Sequence, residues 1–120
     1  MRRLTPFMLS EIDRDALEDI RDNIARVGRF VEGFDLDGFI TDDKTFYAAT
    51  RCLEIISEAS RRLSPAFKAR FPEIPWKDVA GSGSIYRHSY ENVQEHRVWA
   101  TIHEALPLLR AVAETALRDG

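Results

Sequence analysis

Leu17, Ile20, Ile24, Val27 and Val31 follow one another at steps of 3, 4, 3 and 4. That interval matches one face of a helix at 3.6 residues per turn, and it does not match a strand, whose faces repeat every second residue. The same spacing returns twice. Phe46, Ala49, Leu53, Ile56, Ser60 and Leu63 form a second stripe, and Val98/Trp99, Ile102, Leu106, Leu109, Val112/Ala113 and Ala116 a third. No stretch alternates β-branched and polar residues. The chain is therefore expected to bury helix faces against one another.

The local signals place the elements. A first helix is expected over about Asp13 to Glu32, its early turns rich in Asp13, Asp15, Glu18 and Asp19, where the helix dipole favours acids, with Gly33 as its stop. Phe34 to Thr41 reads as a connector. Asp42 or Asp43 can cap a second helix running from about Asp43 to Leu63. Ser64-Pro65 is a cap followed by proline at the first helical position, opening a short helix to about Phe71, which Pro72 ends. A further helix starts after Pro75 and enters the weakly helical Gly81-Ser82-Gly83-Ser84 on its way to Tyr86–Tyr90. The last helix spans about Glu95 to Leu117, with Pro107 predicting a kink near Glu104–Leu106. The expected fold is all-α, an antiparallel four-helix bundle with an extra short helix, formed by residues 1–120 as one domain with a core of about 13–117.

Composition narrows the function classes. With 17 Lys and Arg against 20 Asp and Glu, the net charge is −3, so nothing drives the whole chain onto nucleic acid. No apolar run approaches the roughly 18–20 residues of a membrane span. Met1 to Ser10 has a basic start but no long apolar stretch behind it, so it does not read as a secretory signal, and a cytoplasmic protein is the expectation. Cys52 is the only cysteine, which leaves no intrachain disulfide and suits a small core residue. His96 and His103 stand two helical turns apart with no third ligand at metal spacing, so no metal site and no cofactor are expected. Trp76 and Trp99 read as core anchors. Arg61, Arg62, Lys68 and Arg70 form the densest basic cluster and are candidates for RNA or partner contact.

Gly81 to Tyr90 is the stretch that breaks helical rules. Two glycines inside a helix cost about 1 kcal/mol each relative to alanine, and Arg87, His88 and Tyr90 gather polar groups just behind them. On a helix Tyr86 and Tyr90 share a face, as do Ser84 and His88. His88 has the chemistry of a general acid or base near neutral pH, and Arg87 that of a phosphate-binding group. The plainer alternative is a hydrogen-bonded interfacial histidine beside an Arg87 paired with Glu91.

Trp76-Lys77-Asp78-Val79-Ala80-Gly81, His88-Ser89-Tyr90, Val98-Trp99 and Leu106-Pro107-Leu108-Leu109 together resemble the HepT-like branch of the HEPN superfamily, over about Asp13 to Leu117. The resemblance implies an all-α homodimer, the toxin of a type II toxin–antitoxin system, acting as a metal-independent ribonuclease. It implies as partner a minimal nucleotidyltransferase antitoxin that can add AMP to the motif tyrosine. The family motif is Arg, four residues, His, any residue, Tyr. His88 and Tyr90 match its last two positions, whereas the arginine position holds Gly83 and the asparagine that commonly follows holds Ser84. Arg87 is adjacent to His88, about 100° away on a helix, so it does not simply take the missing place. The resemblance thus implies His88 as a catalytic candidate and Tyr90 as a candidate for modification or substrate binding, and the local reading adds Arg87 as a catalytic candidate and Tyr86 and Ser84 as candidates for substrate binding. It also leaves a second reading open: a module of the same fold that docks the nucleotidyltransferase without cleaving RNA.

Overall fold

The computed structural model describes residues 8–84 and 92–120. Among the described residues all regular structure is helical. Helix α1 (Glu11–Val31) begins where Ser10 Oγ accepts the Asp13 N–H at 3.0 Å, two residues before the expected start. Its stripe of Leu17, Ile20, Ile24, Val27 and Val31 is buried as the spacing requires. Helix α3 (Asp43–Arg62) starts at Asp42, whose carboxylate accepts the Thr45 N–H at 3.1 Å, and it buries Phe46, Ala49, Leu53 and Ile56. Cys52 is 2 % exposed, inside the same core. Burial pushes its thiol pKa up, against the smaller opposing fields of Arg26, Arg29 and Arg51.

One buried carboxylate fixes how these helices meet. Asp13, 2 % exposed, accepts the Ser64 N–H at 2.8 Å and the Ser64 hydroxyl at 2.7 Å, so the start of α1 is tied to the end of α3. The two helices therefore run antiparallel. Ser64 also caps the short helix α4 (Pro65–Ala69) by accepting the Phe67 N–H at 3.1 Å, with Pro65 at the first helical position as expected.

One expectation is corrected and another is given its form. The connector Phe34–Thr41 contains a helix, α2 (Leu36–Thr41). Asp35 caps it by accepting the Gly38 N–H at 2.8 Å, and the fully buried Phe39 anchors it, 6.0 Å from the Phe46 ring and 5.3 Å from the Trp99 ring. The last helix is interrupted just before Pro107, where the sequence placed the disruption. It divides into α6 (Val93–Ala100), a π-helical turn over Thr101–Ala105, and α7 (Leu106–Asp119). Pro107 lacks an N–H and its ring crowds the carbonyl four residues back, at His103. Widening the preceding turn to the π form clears that carbonyl. α7 then buries Leu106, Leu109, Val112, Ala113 and Ala116, the stripe expected of it. The result is a helical bundle of the all-α class that the spacing predicted.

Candidate functional site

The approach to the candidate segment is built by α5 (Trp76–Gly81), which lies along α3. Its first turn is anchored by the Trp76 indole N–H, shared between Phe71 O at 3.0 Å and Lys68 O at 3.2 Å. Its last turn is held by α3. The Ala80 carbonyl accepts the Ser57 hydroxyl and, at 2.6 Å, Arg61 Nη1. Arg61 Nη1 also donates to Ser57 Oγ at 3.0 Å. Two side chains of α3 thus occupy a carbonyl that the end of a helix leaves without an intrahelical donor.

The helix was expected to continue weakly through Gly81-Ser82-Gly83-Ser84, but it stops at Gly81. Ser82 closes back, its N–H and hydroxyl both reaching Val79 O, at 3.1 and 2.7 Å. Gly83 then passes α3 so closely that a Cβ there would stand 2.9 Å from Glu54 Cα and 2.9 Å from Ser57 Cβ. Backbone is among those neighbours, so a side chain at position 83 requires the two elements to separate. The glycine at the motif-arginine position is therefore explained by packing. Ser84, the one candidate site residue within the described residues, is exposed, and its N–H donates to Gly81 O at 3.1 Å. Tyr86, Arg87, His88 and Tyr90 lie outside the described residues.

The described chain resumes at Asn92, whose φ of 52° is left-handed, a conformation that asparagine tolerates better than most residues. It leads into α6, whose first turn buries Gln94 and Glu95. Glu95 is 2 % exposed, and sequence reasoning gave it no role beyond starting a helix. A glutamate in the first turn of a helix is ordinary in sequence, so no signal could have marked it as buried. Gln94 Oε1 and Thr50 Oγ1 are buried oxygens with no hydrogen-bond partner among the described residues. A cleft of about 230 Å³ is lined by Val79 of α5, Leu53 of α3, Val98 and Arg97 of α6 and Leu109 of α7, with Ser82 beside them.

The basic cluster of the sequence separates in space. Arg62 bonds Asp19 Oδ2 at 2.6 Å and Glu58 Oε1 at 3.2 Å. The Asp19 hydrogen bond raises its pKa most, burial opposes this, and the Glu58 charge adds to the rise. Arg70 lies 5.4 Å from the centre of the Phe71 ring. Arg61 of this cluster reaches the turn before the candidate segment, through the Ala80 carbonyl. His96 and His103 each set Nδ1 against a backbone carbonyl of the preceding turn, Asn92 O at 2.9 Å and Trp99 O at 2.8 Å, so that nitrogen is the donor. Among the described residues no three His, Cys, Asp or Glu side chains gather as they would around a metal ion, and no described helix is long and apolar enough to cross a membrane.

A family model described as ribonuclease HepT-like matches residues 20–116. A protein of Thermococcus cleftensis named "Probable ribonuclease HepT" is 37 % identical over 101 residues, which cover 84 % of this chain and 92 % of that one. A Methanocaldococcus jannaschii protein named "Putative RNase MJ1380" is 34 % identical over 98 residues, 82 % of this chain and 90 % of its own. No solved structure matches.

Proposed function

The chain belongs to the HepT-like ribonuclease family, and we propose on that premise that it is a metal-independent ribonuclease acting as a homodimer, the toxin of a type II toxin–antitoxin system. The observation that carries this reading is His88-Ser89-Tyr90, the motif histidine and tyrosine, lying inside the matched residues 20–116. In the proposed reaction a ribose 2′-hydroxyl attacks the adjacent phosphorus. The new P–O2′ bond forms as the P–O5′ bond breaks, which leaves a 2′,3′-cyclic phosphate and a free 5′-hydroxyl. His88 takes the 2′ proton. A second acid must protonate O5′, and His88 of the partner subunit supplies it at a dimer seam. Arg87 steadies the charge on the phosphoryl oxygens, and Ser84 and Tyr86 are candidate contacts for the RNA.

Neutralisation is proposed to act on Tyr90. A minimal nucleotidyltransferase would transfer AMP from a nucleoside triphosphate to the Tyr90 oxygen, releasing pyrophosphate. A bulky anion would then occupy the RNA site and repel the substrate's phosphates. The test is cleavage of a defined RNA by purified protein in chelator, beside His88→Ala. Cleavage by the parent alone, yielding cyclic-phosphate ends, is expected. Equal cleavage by both would overturn the assignment of His88.

A second reading has its own support in Gly83, which cannot carry the motif arginine without parting α3 from the turn after α5. In that reading the chain docks the nucleotidyltransferase and cuts no RNA. Folded parent protein, shown by mass spectrometry to be free of any Tyr90 adduct, that binds the partner but leaves RNA intact would favour it.

A further inference from the structure

We propose that one face of the α1–α3 pair, bearing Arg26, Arg29 and Phe30 on α1 and Tyr47 and Arg51 on α3, holds single-stranded RNA as a binding surface separate from the catalytic segment. The proposal rests on the ribonuclease reading above, which supplies the polymer. It begins from register. Asp13 joins Ser64 and Asp19 joins Arg62 at one end of the antiparallel pair, so at the other end the second half of α1 lies beside the first half of α3. Arg26 and Phe30 stand four residues apart on α1, and Tyr47 and Arg51 four residues apart on α3. That interval puts a cation and a ring on one side of each helix. The buried thiol of Cys52 feels the fields of Arg26, Arg29 and Arg51 together, all three opposing the effect of burial. Three guanidiniums from two helices therefore gather over one point of the core.

Little of the charge there is spent internally. Arg26 Nη1 donates to the neutral Asn23 Oδ1 at 2.8 Å, which orients the guanidinium without cancelling its charge. Arg29 and Lys44, both exposed, form no ion pair among the described residues. Arg51 meets Glu54 at 3.3 Å, but the two side chains are 71 % and 46 % exposed, so water screens the pair and a phosphate can displace the carboxylate. The other end of the same helix pair has the opposite character, with Arg62 held by both Asp19 and Glu58. The rings are presented as well. Phe30 is 39 % and Tyr47 57 % exposed. The Tyr47 ring stands edge-on to the buried Phe46 at 5.6 Å, which supports it from the core side. Cations for phosphates and aromatic faces for bases are the two contacts by which proteins hold a single strand regardless of its sequence. The whole chain carries a net charge of −3, so this excess belongs to the face and not to the composition.

Two assays separate this inference from the reading it rests on. The first is binding of 2′-O-methyl RNA, which cannot be cleaved. The second is metal-free cleavage of the same sequence as RNA. The double variant Arg26→Gln with Arg29→Gln is expected to weaken binding by about 10-fold and to lower the slope of log Kd against log salt by about 0.7 for each arginine removed. Tyr47→Ala should weaken binding by about 5-fold or more, the loss of one stacked base, whereas Tyr47→Phe keeps the ring and should bind as the parent does. In cleavage these losses should appear in KM and leave kcat in place, because the contacts are the same in the ground state and the transition state. Arg62→Ala, at the paired end, should bind and cleave as the parent does. A cleaving parent whose double variant and Tyr47→Ala variant bind and cleave equally well overturns the inference and leaves the ribonuclease reading intact. That is also the result expected if the face meets an acidic protein surface instead of RNA. Losses of the same size in Arg62→Ala overturn it too, because general charge and not this face would then attract the strand. An inert parent that binds 2′-O-methyl RNA through these residues supports the surface and overturns the nuclease reading. An inert parent that does not bind overturns both.

Discussion

α1 and α5 both pack along α3, yet different forces hold them there. Of the 21 residues of α1 eight are buried, five of them the aliphatic stripe, whereas none of the six residues of α5 is buried. α1 is held by apolar area, at about 25 cal/mol per Å² removed from water. α5 is held by an indole N–H at one end, a serine and an arginine on one carbonyl at the other, and a glycine that lets backbone touch backbone. Apolar burial is tolerant of direction, while hydrogen bonds to a single carbonyl are not. α1 has directional ties as well, Asp13 to Ser64 and Asp19 to Arg62, but it adds them to a buried stripe, whereas α5 has such ties without a buried residue of its own.

The largest effect should come from breaking the apolar side of this contrast. Phe39→Ala removes a fully buried ring that touches Phe46 and Trp99. A loss of about 3–5 kcal/mol in denaturant unfolding is expected for such a truncation. A loss below about 1 kcal/mol would mean that α2 is dispensable to the core. No side chain on α5 should approach Phe39 in this respect.

Gly83→Ala tests the other side. The added methyl meets Glu54 Cα and Ser57 Cβ at 2.9 Å, and overpacking of this kind costs about 1–3 kcal/mol. The strain should be relieved where the contacts are few. Amide exchange is therefore expected to rise around Ala80–Ser84 while the buried stripe of α1 stays protected. Uniform loss of protection across both regions would show that the two are one cooperative unit and that the contrast drawn between them is only one of chemistry.

The sequence discloses the two sides unequally. The stripes of α1, α3 and α7 are readable because burial of a helix face requires a period, and a period survives in one dimension. α2 is hidden because six residues are too few for a period and Gly38 argues against a helix. Pro107 announces an interruption but not its π-helical form, which depends on how the neighbouring turns can open. The Asp13–Ser64 tie joins residues 51 apart in the chain, and nothing in either neighbourhood points to the other. At the candidate site, the motif marks His88 and Tyr90, and the glycines mark a break in the helix. That the break is a close approach to α3, with Arg61 beside it, is tertiary information and leaves no periodic trace.

Arg61 and Arg62 give the smallest expected stability effect and the sharpest form of the comparison. In sequence they are equivalent neighbours, but adjacent helical residues point about 100° apart. One turns toward α5 and the other toward α1, where it meets Asp19 at 2.6 Å. The Arg62 and Asp19 side chains are 34 % and 49 % exposed, so solvent screening limits the pair. Arg62→Ala is expected to cost about 0.5–1 kcal/mol in unfolding free energy and to leave RNA cleavage and binding unchanged. Arg61→Ala, which takes one of two side-chain donors from the Ala80 carbonyl, is expected to raise amide exchange over Ala80–Ser84 and to leave α1 protected. The pair of variants compares the two faces of α3 at the same helical level. Exchange over Ala80–Ser84 raised as much by Arg62→Ala as by Arg61→Ala would mean that the basic cluster acts through its general field. A rise confined to Arg61→Ala would mean that one oriented guanidinium carries the effect.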